Sequence, residues 1–454
     1  MLIWVESAMS FLIPHRKIAV TGSFGSGKSV FMLSLLQQLN EFDSRIFKLN
    51  SKRNQENIEI KKVSSLRIRN ENEAFPYATL IQKLMKIGGG TWPHRSSALL
   101  RYRALLSRSD RLLPQELEFF SFPLERVIDL SLIKTPKYDD WSDQVLFKIN
   151  EDQQAVRLAR KYFQHLDSAE INPEHLITSY KHTLAQFIFE YKTFVAPSTF
   201  MIGLDGDRIT GGSVESVSQG RFVGLGPLET DQPREFIPLS GIVRMRFPQL
   251  AEQMQKHFQI YQQQLTRPLF QEFNQSKVLV ILIDIPALLA GGRSAFNEQL
   301  WLLDQLSFLL KRRKEGQLLG RNHVEKIAII ANKCDLIRPF EREARLPTLL
   351  HELTDEFALS LDPSIQIGRF LCSPCVATRE HQDPERLVGR LMNNAQNSDR
   401  LEKVFDVPAL PRHWPKDYAP RDFPFSKVWP PALRAHEKLP NHYHLDDVFR
   451  FIMD

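Results

Sequence analysis

Lys17-Ile-Ala-Val-Thr21, Gly22-Ser-Phe-Gly-Ser-Gly-Lys-Ser29 and Val30-Phe-Met-Leu-Ser-Leu-Leu-Gln-Gln-Leu39 follow one another without a gap, and their reading decides the fold. The first is a short apolar run suited to a buried strand, and the third is apolar at helical spacing. The turn between them fits G-x-x-x-x-G-K-[ST] in the strand-then-helix context that this motif requires. Its glycines let the backbone fold tightly enough for successive N–H groups to converge on phosphate oxygens. The helix start adds the positive end of its dipole. Gly22, Ser23, Phe24, Gly25, Ser26, Gly27, Lys28, Ser29 and Val30 are therefore the expected nucleotide-binding residues. Lys28 is expected to bridge the β- and γ-phosphates, and the Ser29 hydroxyl to ligate Mg²⁺. Strand–turn–helix units of this kind open many doubly wound domains, so the expected class is α/β, a mostly parallel sheet flanked by helices.

Outward from this unit, Leu117-Glu-Phe-Phe-Ser121 reads as a strand ended by Pro123. Lys277-Val-Leu-Val-Ile-Leu-Ile-Asp284 is a near-continuous apolar run suited to a central parallel strand. Lys326-Ile-Ala-Ile-Ile-Ala331 and Phe370-Leu-Cys372 are further buried runs, and a helix is expected over 296–312. Residues 140–195 read as helical, with Leu176, Tyr180, Leu184, Phe187 and Tyr191 forming one apolar stripe. The expected organisation is a nucleotide-binding domain begun over 1–139, interrupted by a helical insertion at 140–195 and resumed over 196–404. A proline-rich extension, 405–454, closes on Leu445-Asp-Asp-Val-Phe-Arg-Phe-Ile452, a docking helix. Residues 196–248 are rich in glycine, proline and serine and read as long irregular loops.

Asn332-Lys-Cys-Asp335 directly follows the buried run 326–331. A carboxylate at such a strand end can accept from both the N1–H and the N2 amino group of guanine, and cannot do so for adenine. A site built around that pairing rejects the wrong base because its acceptors would be left unpaired. Asp335 is the expected base reader. Asn332 ties the base to the phosphate loop, and the stem of Lys333 covers the ring. GTP or GDP with Mg²⁺ is thus the expected ligand. An adenine-using enzyme in which 332–335 is incidental remains the alternative.

Composition narrows the remaining classes. The chain has 454 residues, 43% hydrophobic and 25% charged, with 59 Lys plus Arg against 53 Asp plus Glu. A net charge of +6 over that length does not argue for nucleic acid. No apolar run reaches the ~18–20 residues of a membrane span, and the opening apolar segment carries Glu6 rather than an early positive charge. A cytoplasmic location is expected. Cys334, Cys372 and Cys375 are few and odd in number, as in a reducing compartment. Cys372 and Cys375 form a lone C-x-x-C that reads as two thiols beside a buried strand.

The order of motifs resembles the YcjX-like family of P-loop GTP-binding stress proteins. Beyond the phosphate loop the resemblance covers Trp92-Pro93, Pro123 and Glu125 followed by Val127-Ile-Asp-Leu130, and Trp141. Further on it covers Gly220-Arg-Phe222, the strand ending in Asp284, Asn332-Lys-Cys-Asp335, Ala377-Thr-Arg-Glu380 and Leu445-Asp446. It implies a GTPase-like domain with a helical addition, binding GTP and Mg²⁺. It also implies a link to envelope stress through a membrane-bound partner, reached from the cytoplasmic side of the inner membrane. Ser96 stands where the family has a threonine, a switch residue reaching Mg²⁺ or the γ-phosphate. Arg221 is a candidate arginine finger supplied within the chain.

The chain also departs from that pattern. Where the family reads D-Y-P-G-E, this chain has Ser121-Phe-Pro-Leu-Glu125. The aspartate that would organise Mg²⁺ through water is a serine, and the glycine that meets the γ-phosphate is Leu124. Binding survives such changes more easily than fast hydrolysis does. A slow GTPase switch and a scaffold with little turnover are both open at this point. Asp284 is either a Mg²⁺-side carboxylate or a helix cap.

Overall fold

The computed structural model describes residues 13–41, 48–50, 57–68, 70–86, 89–93, 99–129, 132–133, 135–187, 197–202, 234–310, 324–392, 401–433, 437 and 440–454. Its centre is an eight-stranded sheet. The strands are β1 (His15–Gly22), β2 (Lys48–Asn50), β3 (Asn57–Leu66), β4 (Leu100–Arg108), β5 (Gln115–Ser121), β6 (Val278–Ile283), β7 (Lys326–Asn332) and β8 (Gln366–Cys372), in the order β2-β3-β4-β5-β1-β6-β7-β8. From β5 across to β8 every pairing is parallel. From β2 to β5 every pairing is antiparallel. The sheet is mostly parallel, as expected, with four of its seven pairings parallel. The remainder is an antiparallel meander whose middle member, β4, does not show in a search for apolar runs.

Strand alternation sorts the core into two layers. Ala19, Leu279, Ile281, Ile327 and Ile329 face one cluster, and Ile18, Val20, Val280, Leu282 and Ile330 face the other. The second layer is covered by α1 (Lys28–Asn40) and by α2 (Tyr77–Leu84). The first layer is thicker. It takes the helices α3 (Tyr138–Asn150), α4 (Gln153–Leu166) and α5 (Pro173–Gln186), then α6 (Pro248–Tyr261), α7 (Arg267–Asn274), α8 (Ile285–Ala290), α9 (Gly292–Leu310) and α10 (Leu346–Leu359). Leu176, Tyr180, Leu184 and Phe187 of the stripe are buried there; Tyr191 lies outside the described residues. The α4 and α5 starts are capped by Asp152 and Asn172, whose side chains accept from backbone N–H groups two and three residues on.

The tail wraps the body. Trp414 packs on Phe296 at 4.6 Å between ring centroids and donates from Nε1 to Leu349 O at 2.8 Å. The closing helix α11 (Leu445–Met453) buries Leu445, Val448, Phe449, Ile452 and Met453 against the α1 side of the sheet. A small antiparallel sheet of β9 (Thr378–Glu380), β10 (Arg386–Gly389) and β11 (Lys403–Asp406) lies beyond β8. Among the described residues no helix is long and apolar enough to cross a membrane.

Because β5 and β6 lie on opposite sides of β1, the connections leaving this end of the sheet diverge. Such a switch point opens a crevice at the carboxyl ends of the strands, where open α/β sheets place ligands. The 22–29 turn, the segment after β5, Asp284 and residues 332–335 all emerge there.

Candidate nucleotide site

Gly22 to Ser29 leave β1 as a tight loop closed by Ser26 N–H donating to Ser23 O at 2.9 Å. Gly25 (φ 83°) and Gly27 (φ 97°) hold left-handed backbone that side chains adopt at a cost. At Gly27 space matters as well, since a Cβ there would lie 2.5 Å from Asn332 Nδ2. Helix α1 starts at Lys28, so the N–H groups of Lys28, Ser29 and Val30 have no partner within the helix.

Lys28 is 8% exposed, and its Nζ donates back to Gly22 O at 2.8 Å and Ser23 O at 3.3 Å. Burial lowers its pKa to about 8, with the negative charge of Glu125 pulling the other way. A cation is thus held in a poorly solvated place at the mouth of a turn, where an anion would relieve it.

Residues 332–335 join the loop directly. Asn332 Nδ2 donates to Ser26 O at 2.7 Å, and Lys333 Nζ donates to Gly25 O at 3.0 Å. Lys333 itself takes a left-handed backbone, φ 62°. Its ammonium also pairs with Asp284, whose other oxygen accepts Ala287 N–H at 3.0 Å and caps α8. Of the two readings of Asp284, the geometry is that of the cap. Asp335 is 7% exposed. Its carboxylate accepts from Ser373 Oγ and from Ala377 N–H, both at 2.8 Å. Burial raises its pKa, and those two bonds oppose the rise. A carboxylate has about four acceptor sites, so two remain. Cys334, Cys372 and Cys375 are all buried free thiols around this turn, their pKa values raised by burial. They are not activated nucleophiles.

The segment after β5 reaches the loop from the other side. Phe122 N–H donates to Val20 O at 3.1 Å, and Thr21 Oγ1 to Phe122 O at 3.1 Å, continuing the β1–β5 pairing past the strands. A short 3-10 segment, Leu124–Asp129, follows. Leu124 is fully buried among Phe122, Val127 and their neighbours, so its side chain belongs to the core. Asp129 anchors the segment by accepting from Ser198 N–H at 2.7 Å and Tyr261 O–H at 3.0 Å. Burial raises the Asp129 pKa, while the Arg126 charge acts against it. The segment thereby brings in Glu125, 1% exposed, whose Oε1 accepts Phe24 N–H at 2.8 Å. From α9, Gln299 Oε1 accepts the Ser23 hydroxyl at 2.5 Å. Neither contact is visible in the spacing of motifs, because the partners are 101 and 276 residues apart.

Buried polar atoms without a partner gather at this loop. Ser26 Oγ, Glu125 Oε2, Gln299 Nε2 and Asn332 Oδ1 are four of them. Native proteins pair nearly all such atoms, so a group of them around one turn marks a place where a ligand or ordered water completes the bonding. Ser96 and Arg221, and with them two proposed contacts to nucleotide or Mg²⁺, lie outside the described residues. No group of three His, Cys, Asp or Glu able to hold a metal occurs among the described residues. A Mg²⁺ ion fits here only in the way it usually binds nucleotides, through phosphate and water with one or two protein oxygens. Ser29, half-buried in the first turn of α1, supplies such an oxygen.

No curated protein matches the chain. The sequence profile of the YcjX-like family, DUF463, matches residues 16–454, nearly its whole length. The chain belongs to the YcjX-like family.

Proposed function

We propose that the chain is a P-loop GTP-binding protein that hydrolyses GTP slowly to GDP and phosphate and acts as a nucleotide-dependent switch. The observation that carries this reading is the join between the two motifs, Asn332 to Ser26 O and Lys333 to Gly25 O. A phosphate loop alone would serve any nucleotide. A loop braced by the residues two and three places before a carboxylate held by two hydrogen bonds fixes the distance from phosphate to base. Lys28, stripped of solvent, supplies the charge for the β- and γ-phosphates, and the amides of Gly25 and of Gly27 to Ser29 supply donors. Mg²⁺, held by Ser29 and by Ser96, would neutralise charge building on the phosphate oxygens.

A switch needs a segment that the γ-phosphate orders. Leu124–Asp129 touches the loop through Glu125 and is tied at its far end to the helical layer through Asp129. A change at the phosphate would be passed to helix α6 by that route, through Tyr261. The reader of the switch is proposed to be a membrane-bound stress-response protein met at the inner membrane, from the family resemblance. A scaffold with little turnover is the second reading, favoured by Ser121 in place of the Mg²⁺-organising aspartate.

Competition between fluorescent GTP and ATP analogues tests the base. GTP is expected to displace either probe at least tenfold better than ATP, and Asp335→Asn to lose most of that preference while keeping triphosphate contacts. Tighter ATP binding, or an unchanged preference in D335N, contradicts the guanine reading.

A further inference from the structure

Resting on the GTPase reading above, we infer that Glu125 and Gln299 together hold the attacking water, with Glu125 as the proton acceptor. The two side chains come from different parts of the fold, one from the segment after β5 and the other from α9. They meet adjacent loop residues, Phe24 and Ser23. Each has one polar atom fixed by the loop. Each keeps the other buried with no partner: an acceptor, Glu125 Oε2, and a donor, Gln299 Nε2. A water molecule needs one of each from its surroundings to be oriented. Their exposures of 1% and 2% exclude bulk solvent from both atoms.

A purely structural brace accounts for half of this arrangement. Glu125 Oε1 and Gln299 Oε1 fasten the loop, and a glutamine or a threonine would do so without the cost of burying a carboxylate. The charge also favours the buried Lys28 ammonium, but that role needs no unpartnered oxygen. A carboxylate next to a phosphate loop also opposes the binding of a polyanion, so a site selected for affinity alone would not keep it. A carboxylate that accepts a proton from water as the phosphorus is attacked explains both the charge and the unpartnered oxygen.

In the step, the water oxygen forms a bond to the γ-phosphorus, and the bond from that phosphorus to the β–γ bridging oxygen breaks. The electron pair of the broken bond stays on the β-phosphate of GDP. One water proton passes to Glu125 and from there to the released phosphate, which restores the carboxylate. Gln299 donates to the water and so aims its lone pair. Leu124 then ceases to be an obstacle, because water positioning resides one residue later, at Glu125.

The test is single-turnover phosphate release from Mg·GTP by the full chain, with GDP affinity measured beside it. Glu125→Gln keeps an acceptor for Phe24 N–H and removes the proton acceptor together with the negative charge that faces Lys28. It is expected to slow release by about 100-fold or more, the usual contribution of a positioned base, with GDP affinity within about threefold of the parent and GTP affinity equal or higher. Gln299→Leu is expected to slow release by about tenfold, on the same scale. Unchanged release by E125Q overturns the inference, as does a loss of GDP binding in E125Q as large as that in Lys28→Ala, which would make Glu125 a brace. If the parent binds GDP but releases phosphate no faster than K28A, this inference fails and nucleotide binding stands. If the parent binds neither nucleotide, the GTPase reading itself fails.

Discussion

The same two strands, β1 and β5, carry charge in opposite ways at their two ends. At the opening of β1, Lys17 lies opposite Glu118 in register, 3.3 Å away, and also pairs with Glu272 of α7. Arg101 of β4 reaches Glu272 at 2.7 Å, Glu118 at 3.3 Å and Glu73 at 2.5 Å, and His15 meets Glu118 at 3.2 Å. Each of these carboxylates has a cationic or hydrogen-bonding partner. Where β1 ends, Lys28 has only carbonyl oxygens to donate to, and four polar atoms are left over. Burial cost is met inside the protein at one end and is left for a ligand at the other. The difference separates the two ends more sharply than exposure does, since Lys17 and Glu118 are buried as Lys28 and Glu125 are.

The comparison is broken most easily at the paired end. Glu118→Ala removes one of the two carboxylates that pair Lys17 and one of the three that pair Arg101; neither cation is left alone, and the lost charged hydrogen bonds cost about 1.5–3 kcal/mol. Chemical denaturation should show a loss of that order with GTP affinity unchanged; a loss under 1 kcal/mol would mean that the network is ornamental. Acid should reproduce part of it. Desolvation would raise the Glu118 pKa, but the hydrogen bond from His15 and the charge of Lys17 outweigh it and hold the pKa down at about 2. Its folded value lies below its ordinary value of 4.5. The stabilisation is therefore complete above about 4.5 and is lost as the pH falls toward about 2. The gap in stability between the parent and Glu118→Gln should close over that window.

At the unpaired end the sign is reversed. The free-protein pKa of Lys28 is depressed to about 8 by burial, and a bound triphosphate raises it. Binding then takes up a proton above pH 8, and GTP affinity should fall by up to tenfold per pH unit from 8 to 9. Lys28→Met should bind weakly and show no such slope. A flat profile in the parent would mean that the ammonium does not meet phosphate.

How much of this was legible in the sequence follows from what each element needs. β1, β6 and β7 are buried on both faces, so they read as unbroken apolar runs, and the α1 stripe follows directly. β4 alternates Tyr102, Ala104 and Leu106 with Arg101, Arg103 and Leu105. Its period of two is present, but charged residues that find partners across the sheet mask its apolar content. The strands β9 to β11 are three or four residues long, too short for any periodicity to show. At the site, the loop and residues 332–335 were readable because their chemistry requires contiguous residues. Gln299 was not, since one polar side chain on the buried face of an amphipathic helix has no local signal. Glu125 stood in a motif, but its unpaired oxygen is a property of packing. Asp284 was ambiguous because a strand-end carboxylate serves a cap and a metal equally well until its partners are placed.

Titration calorimetry of the purified chain with GTP in the presence of Mg²⁺, beside Lys28→Ala under the same conditions, tests the central claim most directly. Saturable heat at one nucleotide per chain is expected in the parent and about 100-fold weaker binding in K28A, equivalent to ~2.7 kcal/mol. No heat from the parent, or equal affinities for the two proteins, would contradict it.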